Sequence, residues 1–159
     1  MPDIQSAPYL LKKNNQMKFL LPALVLVTSI IGSIANINIT SDSWYDELIK
    51  SSLNPPGFVF GIVWPILYLL MAIVSFQASE KIWKLFILQL ILNAAWSWIF
   101  FYFQAPIIAL LDIVFLLVIN LKILSQLRSL STLLFSLYLP YLLWLFFAAF
   151  LNISIIYLN

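Results

Sequence analysis

The 159-residue chain contains no cysteine and no histidine. Disulfides, thiolate nucleophiles, Ser-His-Asp triads and iron–sulfur clusters are excluded, because each needs one of these two side chains. The usual ligands of zinc and copper are missing as well, so we predict no metal site and no required cofactor. The missing cysteines do not identify a redox compartment.

Charge is also scarce. Only 9% of the residues are charged, whereas soluble domains usually carry about 25%, and 64% are hydrophobic, with a mean hydropathy of +1.03. These values predict an integral membrane protein whose first partner is the lipid bilayer. The net charge of +2 has to be interpreted through membrane topology, so we expect no nucleic-acid partner.

Five apolar runs are each long enough to cross a bilayer, for which about 20 residues suffice. They cover approximately residues 19–35, 58–78, 82–103, 106–124 and 133–158. We therefore predict an all-α, five-transmembrane-helix bundle that forms one domain over residues 19–159, after a basic segment at residues 1–18. Most connections are short, which predicts that successive helices are antiparallel neighbours.

The basic residues predict the orientation of this bundle. Lys50 lies on one side, and the other seven lie on the side of the N-terminus: Lys12, Lys13, Lys18, Lys81, Lys84, Lys122 and Arg128. Under the positive-inside rule, the N-terminus is cytoplasmic, and the long connection at residues 36–57 and the C-terminus lie outside.

This long connection is the most informative part of the chain. It carries Trp44, Tyr45 and the run Asn54-Pro55-Pro56. A connection of this length in a small bundle is usually functional or disordered, and its aromatic residues and prolines favour a function. We expect Asn54 to be the N-cap of the second span, with the prolines in its first turn.

A polar stripe follows one face of the third span. Gln89, Asn93 and Ser97 recur every fourth residue, so they share a helix face that must point into the bundle. Two interpretations stay open, namely hydrogen bonding between helices and a polar anchor for a ligand.

Three tryptophans occupy the central parts of three different spans: Trp64, Trp96 and Trp144. Each one alone is typical of helix packing or of an interfacial belt. Because they come from three helices and lie away from the expected belt, together they favour the wall of a pocket for a flat ligand.

Asp112 is the only acid within a predicted span. Such a residue is a candidate for a proton relay or a counter-ion. The alternatives are that it reaches the outer interface or bonds to a neighbouring helix. No second acid or base lies deep within a predicted span to complete a relay, because Lys84 and Lys122 are at span ends, and this argues against a proton-coupled pump.

Ordered motifs along the chain resemble the TspO/MBR family, also called the tryptophan-rich sensory protein or translocator protein family. The main matches are Trp44-Tyr45, Asn54-Pro55-Pro56, Phe60-Gly61, Val63-Trp64, Leu67-Tyr68, Gln89-Leu90, Leu92-Asn93, Trp96-Ser97, Pro140-Tyr141, Trp144, Phe147-Ala148 and Leu151-Asn152. The resemblance covers the chain from about residue 19 to its end.

The resemblance implies a five-helix membrane protein, often a homodimer, that binds porphyrins such as protoporphyrin IX under its first loop. The pocket positions that it implies are Tyr45, Pro55, Trp64, Tyr68, Asn93, Trp96, Trp144 and Ala148. The expected function is that of a receptor, sensor or transport protein. Two alternatives stay open: light- and oxygen-dependent porphyrin degradation, with Trp64 and Trp144 as redox-active rings, and a regulatory assembly partner.

The chain departs from the family pattern in two places. Ser51 follows Lys50 where the family usually has proline, which predicts a less rigid loop. The last residues, Tyr157 to Asn159, lack the basic residue of the sterol motif proposed for animal members. This absence favours a porphyrin over cholesterol, and a bacterial cell membrane as the location.

Overall fold

The computed structural model describes residues 7–37 and 44–159, with side chains described over residues 16–35 and 44–159. Parts of the predicted basic segment and of the predicted loop, residues 1–6 and 38–43, lie outside the described residues.

The described chain is helical. Its elements are α1 (Ala7–Ile37), α2 (Trp44–Glu47), α3 (Gly57–Ser97), a π-helical segment (Trp98–Tyr102), α4 (Pro106–Leu130) and α5 (Thr132–Leu158). Within the described residues, four helical stretches are long and apolar enough to cross a membrane: Gln16–Ala35, Gly57–Tyr102, Pro106–Leu130 and Thr132–Leu158. The predicted all-α class is confirmed, and a membrane helical bundle is its natural architecture.

Helix α3 has 41 residues, but it does not run straight. Tyr68 Oη donates a hydrogen bond to Asn93 Oδ1 (2.8 Å), and Gln89 Nε2 lies 3.9 Å from Met71 Sδ. In a straight helix residues 68 and 93 would be about 37 Å apart. Both contacts are centred near residue 80, so α3 reverses direction there and its two arms pack antiparallel. The reversal coincides with the predicted connection between the second and third runs.

Two helix starts differ from the predictions. Helix α1 begins at Ala7, well before the first apolar run at residues 19–35. A helix can form from polar residues with adequate helix propensity, whereas a membrane span also requires apolar side chains. The prediction of Asn54 as an N-cap is wrong. Pro56 is the N-cap of α3, with φ −56° and ψ 147°, and its carbonyl accepts a hydrogen bond from the N–H of Val59 (2.9 Å). A residue before proline avoids the helical region, which keeps Asn54 and Pro55 out of the helix. Both prolines therefore precede the first turn of α3 and do not lie in it as predicted.

The main core lies in the half of the bundle that contains the bend of α3. We call it the packed half, and its fully buried side chains include Met71, Phe86, Ile123, Leu127 and Tyr138. A smaller cluster lies towards the other end, where Phe100, Ala109 and Ile155 are buried and several aromatic side chains are only partly buried. We call this end the cavity half.

Candidate functional site

A cavity of about 610 Å³ opens within the cavity half. Both arms of α3, together with α1, α5, the π-helical segment and residues 45–55, contribute to its walls. Among the side chains that the structure describes, eight aromatic rings line it: Tyr45, Phe60, Trp64, Tyr68, Trp96, Phe100, Phe101 and Trp144. Its size and apolar lining are those of a small-molecule site, for which about 300–1,000 Å³ is usual.

Most of the predicted site residues line this cavity, namely Tyr45, Pro55, Trp64, Tyr68, Trp96, Trp144 and Ala148. Asn93 is not part of the lining. Its side chain is buried behind Tyr68, from whose hydroxyl it accepts a hydrogen bond. The structure thus brings these eight residues to one region, and their role in ligand binding stays a prediction.

The roof of the cavity is the short helix α2. The ring of Trp44 lies edge-on to Phe100 (5.8 Å between centroids), and that of Tyr45 lies edge-on to Phe101 (5.5 Å). Phe100 and Phe101 belong to the π-helical segment, whose i→i+5 hydrogen bonding inserts an extra residue into the turn. Tyr45 also contacts Phe100, so two successive phenylalanines hold one roof residue.

Tyr45 is fixed from the loop side as well. Lys50 Nζ lies 4.5 Å from the centre of its ring and donates a hydrogen bond to the carbonyl of Asp46 (3.3 Å). Burial raises the pKa of Tyr45, and a side-chain hydrogen bond with Asn54 lowers it in part. The Tyr45 hydroxyl is therefore neutral at physiological pH and can take part in hydrogen bonds to an uncharged group.

Ser51 orders the loop through a turn. Its carbonyl accepts a hydrogen bond from the N–H of Asn54 (2.9 Å), and its Oγ accepts one from the N–H of Leu53 (3.2 Å). A proline at this position could not make the side-chain bond. Ser51 therefore supplies local order by a different route from the proline of the family pattern.

Asn159, at the end of α5, is hydrogen-bonded to the loop, a contact that the sequence pattern did not predict. The N–H of Ile49 donates to Asn159 Oδ1 (3.0 Å), and Asn159 Nδ2 donates to the carbonyl of Ile49 (3.1 Å). Two hydrogen bonds between one amide side chain and one residue's backbone form a clamp, which we call the Asn159 clamp. No local sequence signal joins residues 110 positions apart.

The tryptophan walls are held in place by specific contacts. Trp64 stacks on Tyr68, with 5.4 Å between centroids and 30° between planes. Trp96 Nε1 donates to Asn152 Oδ1 (3.4 Å), and Asn152 Nδ2 donates to the carbonyl of Pro106 (2.8 Å). These contacts fix the positions of Trp64 and Trp96 in the wall of the cavity.

A chain of hydrogen bonds runs from the cavity wall into the core, and we call it the polar chain. After Tyr68 donates to Asn93, Asn93 Nδ2 donates to Tyr141 Oη (3.0 Å) and Tyr141 Oη donates to Gln89 Oε1 (2.9 Å). Gln89 Nε2 then approaches Met71 Sδ (3.9 Å). Two members of the predicted polar stripe thus bond between helices, and the third, Ser97, lines the cavity.

Helix α1 contributes a wall that the sequence reading missed, made of Ser29, Gly32 and Ser33. A Cβ on Gly32 would lie 3.4 Å from Ser97 Oγ and 3.7 Å from Tyr68 Oη. The missing side chain therefore leaves a small polar recess beside the Tyr68 hydroxyl. Gly32 and Ser33 follow Ser29 by three and four residues, so the three small residues share one helix face. This spacing is the sequence signal that could have indicated the wall.

Asp112 lies inside the bundle and not on the cavity wall. Its side chain is 7% exposed, and within the described part of the chain its Oδ2 atom has no hydrogen-bond partner. The structure therefore keeps Asp112 apart from the aromatic cavity.

The fold and the cavity define a class, a helical membrane protein with an aromatic-walled cavity at one end of the bundle. The model of the TspO/MBR family matches residues 20–158. The chain belongs to the TspO/MBR family, which confirms the resemblance seen in its motifs, and it is an integral membrane protein.

Named relatives agree with this assignment. The chain is 37% identical to the tryptophan-rich protein TspO of Chlorobaculum tepidum and 35% identical to that of Archaeoglobus fulgidus, over 74% of this chain and 80% of each relative. It is 29% identical to the tryptophan-rich sensory protein of Cereibacter sphaeroides, over 74% of this chain and 79% of the relative.

Proposed function

We propose that this protein is a receptor, sensor or transport protein that binds a porphyrin, such as protoporphyrin IX, or a related flat aromatic molecule. The observation that carries the proposal is the cavity of about 610 Å³ with eight aromatic rings on its walls. Aromatic faces attract flat π-systems by offset stacking, and the surrounding apolar surface excludes water. No metal or further cofactor is needed for such binding.

Lys50 supplies one positive charge at the roof, beside the acidic residues Asp46 and Glu47 of α2, and can meet a carboxylate of the ligand. Lys50 is a cation held against Tyr45 and Asp46 at the roof of the cavity. In the proposed complex the macrocycle lies among the tryptophans, and its carboxylates stay near Lys50 and water. This orientation avoids burying a charge within the bundle.

We also propose five membrane spans with the N-terminus in the cytoplasm. The reversal of α3 near residue 80 supports two spans within that helix, each arm being about 20 residues long. Lys18 Nζ lies 4.6 Å from the centre of the Phe76 ring, so the basic start of the first span is beside the bend that carries Lys81 and Lys84. Fusing a reporter enzyme after residue 159 tests this, since an external C-terminus predicts activity only with a periplasmic reporter.

The binding proposal is tested by titrating the purified protein in detergent with protoporphyrin IX and following the Soret band. We expect Trp144→Ala to weaken binding about tenfold, because an aromatic pair contributes about 0.5–1.5 kcal/mol beyond its buried area. The matched control is Trp83→Ala, at the opposite end of the bundle, which should bind as wild type does. An unchanged Kd in Trp144→Ala, or no Soret shift with wild type, would reject the proposal.

A second candidate function is degradation of the bound porphyrin by light and dioxygen, with dioxygen as the oxidant. Its support is that Trp64 and Trp144 both line the cavity. Illumination of the complex in air should then bleach the Soret band faster than free porphyrin bleaches. If Trp64→Phe and Trp144→Phe both bind porphyrin and bleach it at the wild-type rate, these rings take no part.

The homodimer and the role as a regulatory assembly partner also belong to the proposal. Cross-linking in native membranes tests both. A homodimer gives a product of twice the mass of the chain, and a complex with a different protein gives a product of a different mass.

A further inference from the structure

The polar chain has a direction. Each hydroxyl has one proton, and Tyr141 uses its own to donate to Gln89, while Tyr68 uses its own to donate to Asn93. Asn93 completes the path by donating from Nδ2 to Tyr141. Each hydrogen bond of the chain therefore has its donor on the cavity side and its acceptor further into the core.

The contact between Gln89 and Met71 favours this direction. A thioether sulfur can only accept a hydrogen bond, and it accepts weakly. Gln89 and Met71 are both fully buried, so the amide of Gln89 is better satisfied with its NH₂ group turned towards the sulfur. In the reverse arrangement Gln89 Oε1 would face the sulfur with no proton between them, and burying a polar atom without a partner is unfavourable.

The consequence appears at the cavity wall. Because the only proton of the Tyr68 hydroxyl is already donated, its oxygen can only accept a hydrogen bond from the cavity side. The recess beside Gly32 gives a ligand atom room to reach this oxygen, since even an added Cβ would lie 3.7 Å from it. Ser97 also borders the recess, but a serine hydroxyl can donate or accept and so imposes no preference.

We infer that Tyr68 favours, among the flat aromatic molecules of the proposed function, those that carry an N–H or O–H donor at the edge of their ring system, and that Met71 is the positioning residue which sets this preference. Protoporphyrin IX has its N–H groups at the centre of the macrocycle, so its binding does not depend on this contact. The same polarity disfavours a carboxylate in the recess, which places the acids of a ligand at the roof, beside Lys50. The inference deepens the proposed function and rests on it, because it assumes that the cavity takes flat aromatic molecules.

A pair of neutral probes tests the preference. Carbazole has one ring N–H, and N-methylcarbazole has the same rings without it. Their intrinsic fluorescence reports binding to the purified protein in detergent, after correction for partition into micelles. We expect wild type to bind carbazole about five- to tenfold more tightly than N-methylcarbazole, the usual effect of one hydrogen bond in a desolvated site.

Two variants separate this role from a structural one. Tyr68→Phe should bring the ratio of the two dissociation constants close to one. Met71→Leu conserves the volume but removes the acceptor, so Gln89 can turn and the chain can reverse. Its ratio should fall to about two or below, although Met71 lies outside the cavity lining. Phe60→Leu is the matched control, since it changes the wall, weakens both probes alike and keeps the ratio.

Equal binding of the two probes by wild type would overturn the inference, and so would no binding of either. A wild-type ratio in Met71→Leu would overturn the role of Met71. A parallel titration with protoporphyrin IX shows which idea has failed. Normal porphyrin binding with failed probe selectivity rejects only the inference, whereas loss of porphyrin binding by wild type rejects the proposed function.

Discussion

The packed half and the cavity half are built from the same helices but differ in what their side chains fill. In the packed half Phe86, Ile123 and Tyr138 are fully buried. In the cavity half Trp64 and Trp144 remain partly exposed, because one side of each ring borders the cavity. A ring that packs against protein on one face and borders the cavity on the other leaves space beside that second face for a flat molecule.

The two halves also differ in how they are held together. Lipid tails are as apolar as the side chains, so close packing and buried hydrogen bonds hold helices together in a membrane. The packed half has both, since Asn120 Oδ1 accepts from Tyr138 Oη within its core. The cavity half is held by contacts between aromatic rings, by the hydrogen bonds that Asn152 makes with Trp96 and Pro106, and by the Asn159 clamp. We infer that stability resides mainly in the packed half and ligand binding in the cavity half.

The largest expected effect is on stability, from truncation in the packed half. Phe86→Ala should lower the free energy of unfolding by about 3 kcal/mol, because it leaves a void in a filled core. Phe60→Ala in the cavity half is the matched variant and should lower it far less, since it only enlarges existing space. Unfolding by increasing SDS in mixed micelles measures both. Equal losses would remove the distinction between the halves.

A smaller loss of stability is expected where the polar chain joins the two halves. Tyr141→Phe removes one donor and one acceptor from that chain, which should lower the free energy of unfolding by about 1–2 kcal/mol. Tyr102→Phe, at a largely exposed tyrosine, serves as the control and should leave stability unchanged. The same SDS titration applies, and a Tyr141→Phe protein as stable as wild type would show that the chain adds nothing to stability.

The smallest expected effect concerns the loop. Asn159→Ala removes both hydrogen bonds of the clamp, whose net contribution at an exposed site is about 1 kcal/mol, so the loop should open about fivefold more often. The chain has no cysteine, so Ser97→Cys places a single thiol in the cavity wall. Its rate of reaction with a water-soluble maleimide should rise about fivefold in the Asn159→Ala background. Ser129→Cys, exposed in the packed half, should react equally fast in both backgrounds.

Much of the cavity could be predicted from the sequence, because helical spacing decides which residues share a face. Trp64 with Tyr68, and Trp144 with Ala148, are four residues apart, and the structure places each pair on the cavity wall. Helical spacing does not determine which of two side chains on facing helices reaches the cavity. Tyr68 and Asn93 face each other from the two arms of α3, and the larger side chain of Tyr68 lies between Asn93 and the cavity. The hydrogen bond between the two side chains shows this order.

Other features depend on contacts that local sequence does not encode. The clamp between Asn159 and Ile49 depends on where the end of α5 and the loop meet. The wall from α1 depends on how Gly32 approaches the second arm of α3. Local rules can also compete, as at Asn54, where the preference of asparagine for N-caps is overridden by the two prolines that follow.

The central claim is that the aromatic cavity is the ligand site, and protection of a single thiol tests it most directly. The Ser97→Cys and Ser129→Cys proteins are each treated with maleimide, with and without saturating protoporphyrin IX. We predict that porphyrin slows the labelling of Ser97→Cys at least tenfold and leaves that of Ser129→Cys unchanged. Bound porphyrin, seen by its Soret shift, together with unchanged labelling of Ser97→Cys would contradict the account.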